Sequence, residues 1–369
     1  MRPGDVLMNR MLRFLAGPGI CLGILLSAVV AGGGPPPPAP APAEVDRAIE
    51  RATTFLRGKQ EPDGSVSRDL GKTALLLYAL AHAGVPAADP AMARGTAFLF
   101  AALARPDTYG ASAAIMALAT LDPEAHAKRV ERIARLIESA QCDNGQWSYR
   151  LSRGRAGGDN SNTQFALLAL WYATQCGVKV EPAVFGRTLH YFLGTQNEDG
   201  GFGYSARERK SSYGSMTATG LAALVVCRAG LERRELKARE SRRGEEVTKA
   251  VAWLRDHLAL DRNPEANFRL SAGRAEVKQV TDAFWRHYWL WSLERAMALA
   301  GVGKLGDRDW YAEGAKHLLS TQRDDGSWVG SEAAFEATCF ATLFLTRSMR
   351  RAVATEKPVL LGPVTPEPK

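Results

Sequence analysis

The chain has 369 residues, 46% of them apolar, and carries a formal net charge of +8. Its length and its wealth of Leu and Ala suit one large helical domain, and strand signals are almost absent. No groove-reading motif or zinc-finger spacing accompanies the basic balance, which argues against nucleic acid as a partner.

Behind Arg10 and Arg13 runs FLAGPGICLGILLSAVVA, an apolar stretch that closes on the small residues Val29-Val30-Ala31. Residues 1–31 therefore read as an export signal. An uncleaved membrane anchor is the alternative, because the stretch is just long enough to span, although Gly17-Pro18-Gly19 weakens a helix there. Cys21 lies inside the run rather than at its end, which disfavours a lipoprotein. Residues 32–44 form a Pro/Ala-rich linker, an extended spacer of the kind that holds a domain off a surface. The expected location is exported, in the periplasm or cell envelope.

A motif then recurs four times: QEPDGSV from Gln60, QCDNGQW from Gln141, QNEDGGF from Gln196 and QRDDGSW from Gln322. Four positions before each Gln stands Leu56, Ile137, Phe192 or Leu318, one helical turn away on the same face. Each Gln is expected to close an outer amphipathic helix, with the Asn/Asp-Gly pair as its left-handed stop. A second echo follows, Thr73, Thr163, Thr217 and Thr338, each with a Leu seven residues on. It opens helices such as TQFALLALW that are apolar nearly all round and hence buried. Two weaker units fill the gaps: AMARGTAFLFAALARP with GASAAIMALATL, and EVTKAVAWLRDHLAL with TDAFWRHYWLWSLERAMAL. Six helix pairs that cannot bury an apolar face singly must stack, and six stacked pairs are expected to close into a ring with the apolar helices inside. Basic runs at 232–243 and near 347–351 read as solvated helical extension, or as attraction to an anionic membrane surface or polymer.

The Gln-x3-Gly-x-aromatic unit after an amphipathic helix resembles the QW-type repeat of the prenyltransferase and squalene oxidase repeat family. That family includes squalene-hopene cyclases, oxidosqualene cyclases and protein prenyltransferase β subunits. The resemblance covers residues 45–348 and leaves 349–369 as a C-terminal tail. It implies an all-α toroid of six inner and six outer helices, an (α/α)6 barrel, around a central cavity. It also implies that the Gln and the aromatic ring tie neighbouring outer helices together.

The family's chemistry is harder to find in this chain. Class II cyclases protonate their substrate with an Asp-x-Asp-Asp cluster, and none is present. Asp324-Asp325 belongs to a clasp turn, and no Asp-Asp-x-x-Asp or Cys-Gly-Glu-Gln sequence occurs. Polar residues instead gather where inner helices begin. Asp159, Asn160, Ser161 and Asn162 exceed what one helix cap needs. Asp282, Arg286, His287, Tyr288, Trp289, Trp291 and Glu294 bring acid, base and indoles together, and Glu336 opens the last inner helix. The catalytic candidates are Asp159, Asp282, His287 and Tyr288. The ligand-binding candidates are Asp159, Asn160, Asn162, Arg286, Trp289, Trp291, Glu294 and Glu336. Protein prenyltransferases hold zinc with an Asp-x-Cys pair and a later His. Here no His follows Cys339, so Asp282, His287 and Cys339 make a poor zinc set, and no cofactor is expected. Cys142, Cys176, Cys227 and Cys339 lack CxxC spacing and read as small apolar core residues first and disulfide partners second.

Two functions follow. The first is an exported toroid that binds an extended apolar or polymeric ligand, such as an isoprenoid or other lipid, or a protein partner, through its cavity and rim. The second is an enzyme: a cyclase or prenyltransferase acting on an isoprenoid, or a carbohydrate-active α/α barrel using His287 and Tyr288. Immunoblots of host-cell fractions test the export reading. A soluble envelope form shortened by the 1–31 segment is expected, and a full-length cytosolic form would overturn it.

Overall fold

The computed structural model describes residues 39–104, 106–154, 157–206, 211–231, 244–266, 271–272, 275–276 and 284–349. The leader, the basic run at 232–243, Asp282 and the tail from 350 lie outside the described residues. Among the described residues twelve helices follow in chain order: α1 Pro42–Arg57, α2 Leu70–His82, α3 Pro90–Ala102, α4 Thr108–Leu121, α5 Pro123–Ser139, α6 Asn160–Gln175, α7 Pro182–Thr195, α8 Gly214–Ala229, α9 Glu245–Asp256, α10 Arg286–Ala300, α11 Trp310–Thr321 and α12 Ala334–Leu345. The described strands are a two-residue antiparallel pair, Ser271–Ala272 with Ala275–Glu276. No described helix is long and apolar enough to cross a membrane. α1 starts within the Pro/Ala stretch because Pro42 occupies a first-turn position whose N–H needs no partner.

The even-numbered helices form the inner ring. α2 packs on α4, α4 on α6, α6 on α8, α8 on α10, α10 on α12, and α12 returns to α2. The odd-numbered helices lie outside, and α11 and α12 both meet α1, so the ring is closed. Burial follows the sequence pattern. α1 buries only Ala48, Ala52 and Leu56, one stripe at four-residue spacing, whereas α6 buries every residue from Asn160 to Ala173.

Each clasp is built alike. The Gln141 amide donates to Gly145 O at 3.1 Å within its own turn and to Val184 O at 3.0 Å on α7, the next outer helix. Gln60 does the same to Gly64 and Ala91, Gln196 to Gly200 and Glu246, and Gln322 to Gly326 and Ala48. The last bond joins the final outer helix to the first. On three of the receiving helices an arginine, Arg94, Arg187 or Arg51, donates back to the Gln side-chain oxygen. The indoles of Trp147 and Trp328 donate to Ile137 O and Leu318 O, locking the turn onto its own helix.

The recurring threonines also gain a role. Thr73, Thr163, Thr217 and Thr338 accept the backbone N–H of Val66, Trp147, Phe202 and Trp328 respectively, pinning each clasp to the inner helix of its unit. The expectation of a left-handed helix stop needs correction. The helices end in right-handed or extended residues (Gly58, Ala140, Gln196, Gln322), and the left-handed glycine comes later in the turn, at φ +83 to +89°. Its lack of a Cβ serves contact, since a Cβ on Gly145 would lie 2.5 Å from the backbone of Arg187. Cys142, Cys176, Cys227 and Cys339 are free thiols, buried except for the half-buried Cys176.

Gly145→Ala and Gly84→Ala separate conformation from contact, because both glycines have positive φ while nothing lies within 4 Å of a Cβ at Gly84. Urea unfolding is expected to show about 1 kcal/mol lost at Gly84 and at least about 2 kcal/mol at Gly145. Equal losses would mean that the glycine does not mediate the helix contact.

Candidate functional site

Inner helices α2, α4 and α6 each begin on an aspartate that caps them. Asp69, Asp107 and Asp159 accept the N–H of Lys72, Gly110 and Asn162 at 2.7, 2.7 and 2.9 Å. Asp159 goes further than a cap. It also accepts the Ser161 hydroxyl at 2.7 Å and the Asn162 side-chain amide at 2.8 Å, and it is 7% exposed. The clasp sets its position, because Asp159 N donates to Trp147 O and Trp147 N donates to Thr163 one turn into α6.

Three half-buried phenols stand around this carboxyl. Tyr109 shares a hydrogen bond of 2.7 Å with Ser161, and Tyr149 shares one of 3.2 Å with Tyr204. The Tyr109 and Tyr149 rings lie 5.7 Å apart, tilted by 59°. Tyr149 and Tyr204 sit at equivalent places, each two residues beyond the clasp aromatic (Trp147, Phe202). The chain from the clasp therefore runs over the starts of the inner helices, where Thr108 N donates to Tyr149 O and Asn160 N to Tyr204 O. Burial pushes the Asp159 carboxyl above its ordinary value despite its hydrogen bonds, and raises all three phenols.

Below this rim the axis is floored by aromatic side chains. Trp291 stacks on Phe340 at 4.9 Å and meets Phe165 at 5.3 Å and Tyr288 at 6.0 Å. Deeper, the Gln164 amide joins three groups. In the orientation that satisfies both of its ends it donates to Tyr288 and Thr219, and its oxygen accepts from Arg295. Arg295 lies over the Trp291 ring, donates to Ser292 at 3.1 Å and has no exposed surface. Burial lowers its pKa to about 10. Tyr78 and Tyr172 bond each other at 2.8 Å, and burial raises Tyr78 to about 12. The central cavity implied by the resemblance is thus filled at mid-height, because α2, α6 and α10 all send large side chains to the axis.

Opposite α6 in the ring stands α12, not α10, which is separated from α6 by α8 alone. α12 carries Glu336, one turn before Phe340 and on its face. Glu336 pairs with Lys72 at 3.3 Å, is 8% exposed, and keeps Oε2 without a partner. Burial raises its pKa, while the Lys72 charge pulls the other way. Asp107 is raised by burial too, with the Asp69 charge adding to it.

The other candidates take up places in the wall. His287 is fully buried between α10 and the loop before α12. Its Nδ1 lies 3.4 Å from Glu332, whose Oε1 accepts the N–H groups of His287 and Tyr288. A Cβ at Gly330 would collide with that carboxylate. Trp289 turns outward to Ala259 O, and Arg286 reaches out to Val329 O and Asp261 O. Glu294 accepts from Ser348 and Met349 N beyond α12. Asn160 holds Gly203 O and Gln146, and Asn162 holds Asp159. Cys339 is buried and its thiol is pushed well up. No group of three metal-ligating side chains converges among the described residues. Sequence reasoning missed Tyr109, Tyr149, Tyr204 and Glu332. The clasp offset could have revealed Tyr149 and Tyr204.

The prenyltransferase alpha-alpha toroid domain model matches residues 76–260, half of the chain, and the chain belongs to that family. No curated protein matches it. Among solved structures, a variant of the type II terpene cyclase MstE from Scytonema, in complex with geranylgeranyl dihydroxybenzoate, is 15% identical. That match covers 85% of this chain and 98% of the other, at a TM-score of 0.52. A possible member of the GH105 family from Salmonella enterica is 12% identical, over 86% of this chain and 97% of the other, at a TM-score of 0.56. At such identities the likeness is one of fold.

The folded protein holds the Asp159 and Glu336 protons longer than the unfolded chain does. Stability from the neutral acids is therefore complete below the ordinary carboxylate value and is lost as pH rises through the folded values. Melting temperature is expected to fall from about pH 4 upward, and an Asp159→Asn, Glu336→Gln double variant to flatten that fall. A variant profile as steep as the wild type's would remove the claim.

Proposed function

We propose that this protein is an exported toroid that binds an extended, hydroxyl-bearing polymer at the cup formed by the starts of its inner helices. One observation carries the reading: the half-buried rings of Tyr109, Tyr149 and Tyr204 stand around the Asp159 carboxyl at the starts of α4 and α6, above the buried Phe165, Tyr288, Trp291 and Phe340. Flat rings that stack on sugar faces, together with a few placed polar groups that fix orientation, are what a saccharide-type segment requires. The filled axis, with Trp291 and Arg295 unexposed, disfavours an isoprenoid chain threaded through the ring.

Acid catalysis at the same cup is the second reading. It is favoured by two buried carboxyls, Asp159 and Glu336, on opposite inner helices, both biased toward the protonated form a general acid needs. The likeness in fold to a terpene cyclase and to a possible GH105 member gives it a precedent by analogy only.

Native mass spectrometry and tryptophan fluorescence titration with neutral oligosaccharides test the first reading. A Tyr149→Phe, Tyr204→Phe variant with unchanged circular dichroism is expected to bind about tenfold more weakly, which corresponds to about 1.4 kcal/mol. Retention of a polyprenyl lipid, with no saccharide bound, would overturn it. Turnover of the oligosaccharide that stops with Asp159→Asn would establish the second reading.

A further inference from the structure

We propose that Trp285 is a second stacking platform, across the mouth from Tyr109 and Tyr149, so that the ligand is an extended β-1,4-linked saccharide chain long enough to bridge the two. This rests on the reading of the mouth as a saccharide site and sets the shape and length of what binds there. Backbone conformation singles the residue out. Five non-glycine residues among those described take a positive φ, and four of them, Ser67, Arg68, Glu265 and Trp285, lie beside the starts of inner helices. Left-handed backbone is disfavoured for a bulky side chain, and residues held in it gather at functional surfaces. Trp285 sits at φ +51° immediately before α10. Its N–H is taken by Ser331 at 2.7 Å, and the N–H groups of His287 and Tyr288 by Glu332, so the loop before α12 imposes the conformation. The indole is left half-buried. Packing alone does not account for a strained backbone that keeps so large a ring partly in water.

Ring contacts supply the second observation. Tyr149 meets Tyr109 at 5.7 Å, Tyr109 meets Phe165 at 4.8 Å, and Phe165 meets Trp291 at 5.3 Å. Trp291 then meets Tyr288 at 6.0 Å, and Tyr288 meets Trp285 at 6.1 Å. The two ends of this arc are half-buried and its three middle rings are buried, so the rings open to a ligand lie at two places held by one rigid chain of contacts. Tyr109 and Tyr149 stand at the start of α4, where Thr108 N donates to Tyr149 O, and α10 is the helix opposite α4 in the ring. With neighbouring helix axes about 9 Å apart, opposite axes of a six-membered ring lie about 18 Å apart, more than one sugar covers. A β-1,4 linkage keeps successive rings extended with their flat faces available, whereas a chain that coils would leave one platform bare. Charge selects neither sign, because Asp69, Asp107, Asp159 and Glu336 share the mouth with Arg68, Lys72 and Arg286, which suits a neutral chain.

The experiment is calorimetric titration of the purified chain with cellobiose, cellohexaose, and the β-1,4-linked dimer and hexamer of N-acetylglucosamine. In at least one of the two series the hexamer is expected to bind at least tenfold more tightly than the dimer. Trp285→Gly suits the left-handed backbone and removes the ring, and it should bring that ratio to within twofold. Trp285→Tyr keeps a flat ring and should hold the ratio above fivefold. A wild-type ratio near one, or a ratio that Trp285→Gly leaves intact, overturns the bridging inference and leaves the saccharide reading standing. A ratio lost in Trp285→Tyr as well, with dimer affinity falling alongside, assigns the indole a structural role and also overturns it. Binding of none of the four sugars removes both readings.

Discussion

The ring depends on one side chain used in four places. A glutamine at the end of an outer helix donates both to the carbonyl of its own glycine turn and to a carbonyl on the next outer helix. A helical pair cannot bury its inner helix alone, so each unit's stability is vested in its neighbours. Apolar contact between smooth helices leaves their relative height loosely set, and a buried amide with fixed donors sets it. Gln141 makes a third bond, to Thr188, and is 3% exposed, so its loss would strand buried carbonyls and cost more than the bonds alone. The two units that lack the motif use other means. Arg129 lies over Phe100 between α5 and α3, and Arg308 donates to Leu258 O after α9.

The same device builds the cup. The clasp threonine ties the turn to the inner helix, and two residues beyond the clasp aromatic the chain crosses over the helix starts. In the third and fourth units that position is a tyrosine. In the first and last it is Arg68 and Gly330, and the latter makes room for Glu332 against His287. Variation at a single offset therefore decides what faces the mouth, while the clasp holds the geometry constant. This division between a fixed scaffold and a variable rim is how one toroid can serve unrelated chemistries.

The ring itself was legible in the sequence because its signals are local: the Gln-x3-Gly-x-aromatic spacing, the contrast between amphipathic and wholly apolar helices, and the count of six pairs. Asp159 and Glu336 were visible as polar residues heading apolar helices. The destinations of the α10 residues were not. Successive positions on an inner helix point to the axis, to a neighbour or outward, and Tyr288, His287 and Trp289 divide in that way. Facing requires the rotational phase of the helix in the ring, which composition does not reveal. Trp289 illustrates the point, since its indole does the job of the missing clasp tryptophan by donating to Ala259 O behind α9.

The axis contains two polar layers with opposite physical logic. In the lower layer Gln164 links Arg295, Tyr288 and Thr219, and Tyr78 bonds Tyr172. Burying a guanidinium this completely is costly unless its donors are met; the network meets those on Nε and Nη2, Nη1 has no hydrogen-bond partner, and the Trp291 face covers the cation. Such a layer rigidifies the barrel and closes it to water. The upper layer is left incomplete: Glu336 keeps a free oxygen, and three phenols remain half-exposed around a carboxyl that burial has already biased toward its neutral form. The lower layer is sealed from any ligand by its burial, whereas the half-exposed phenols at the mouth are not, so recognition falls to the rim.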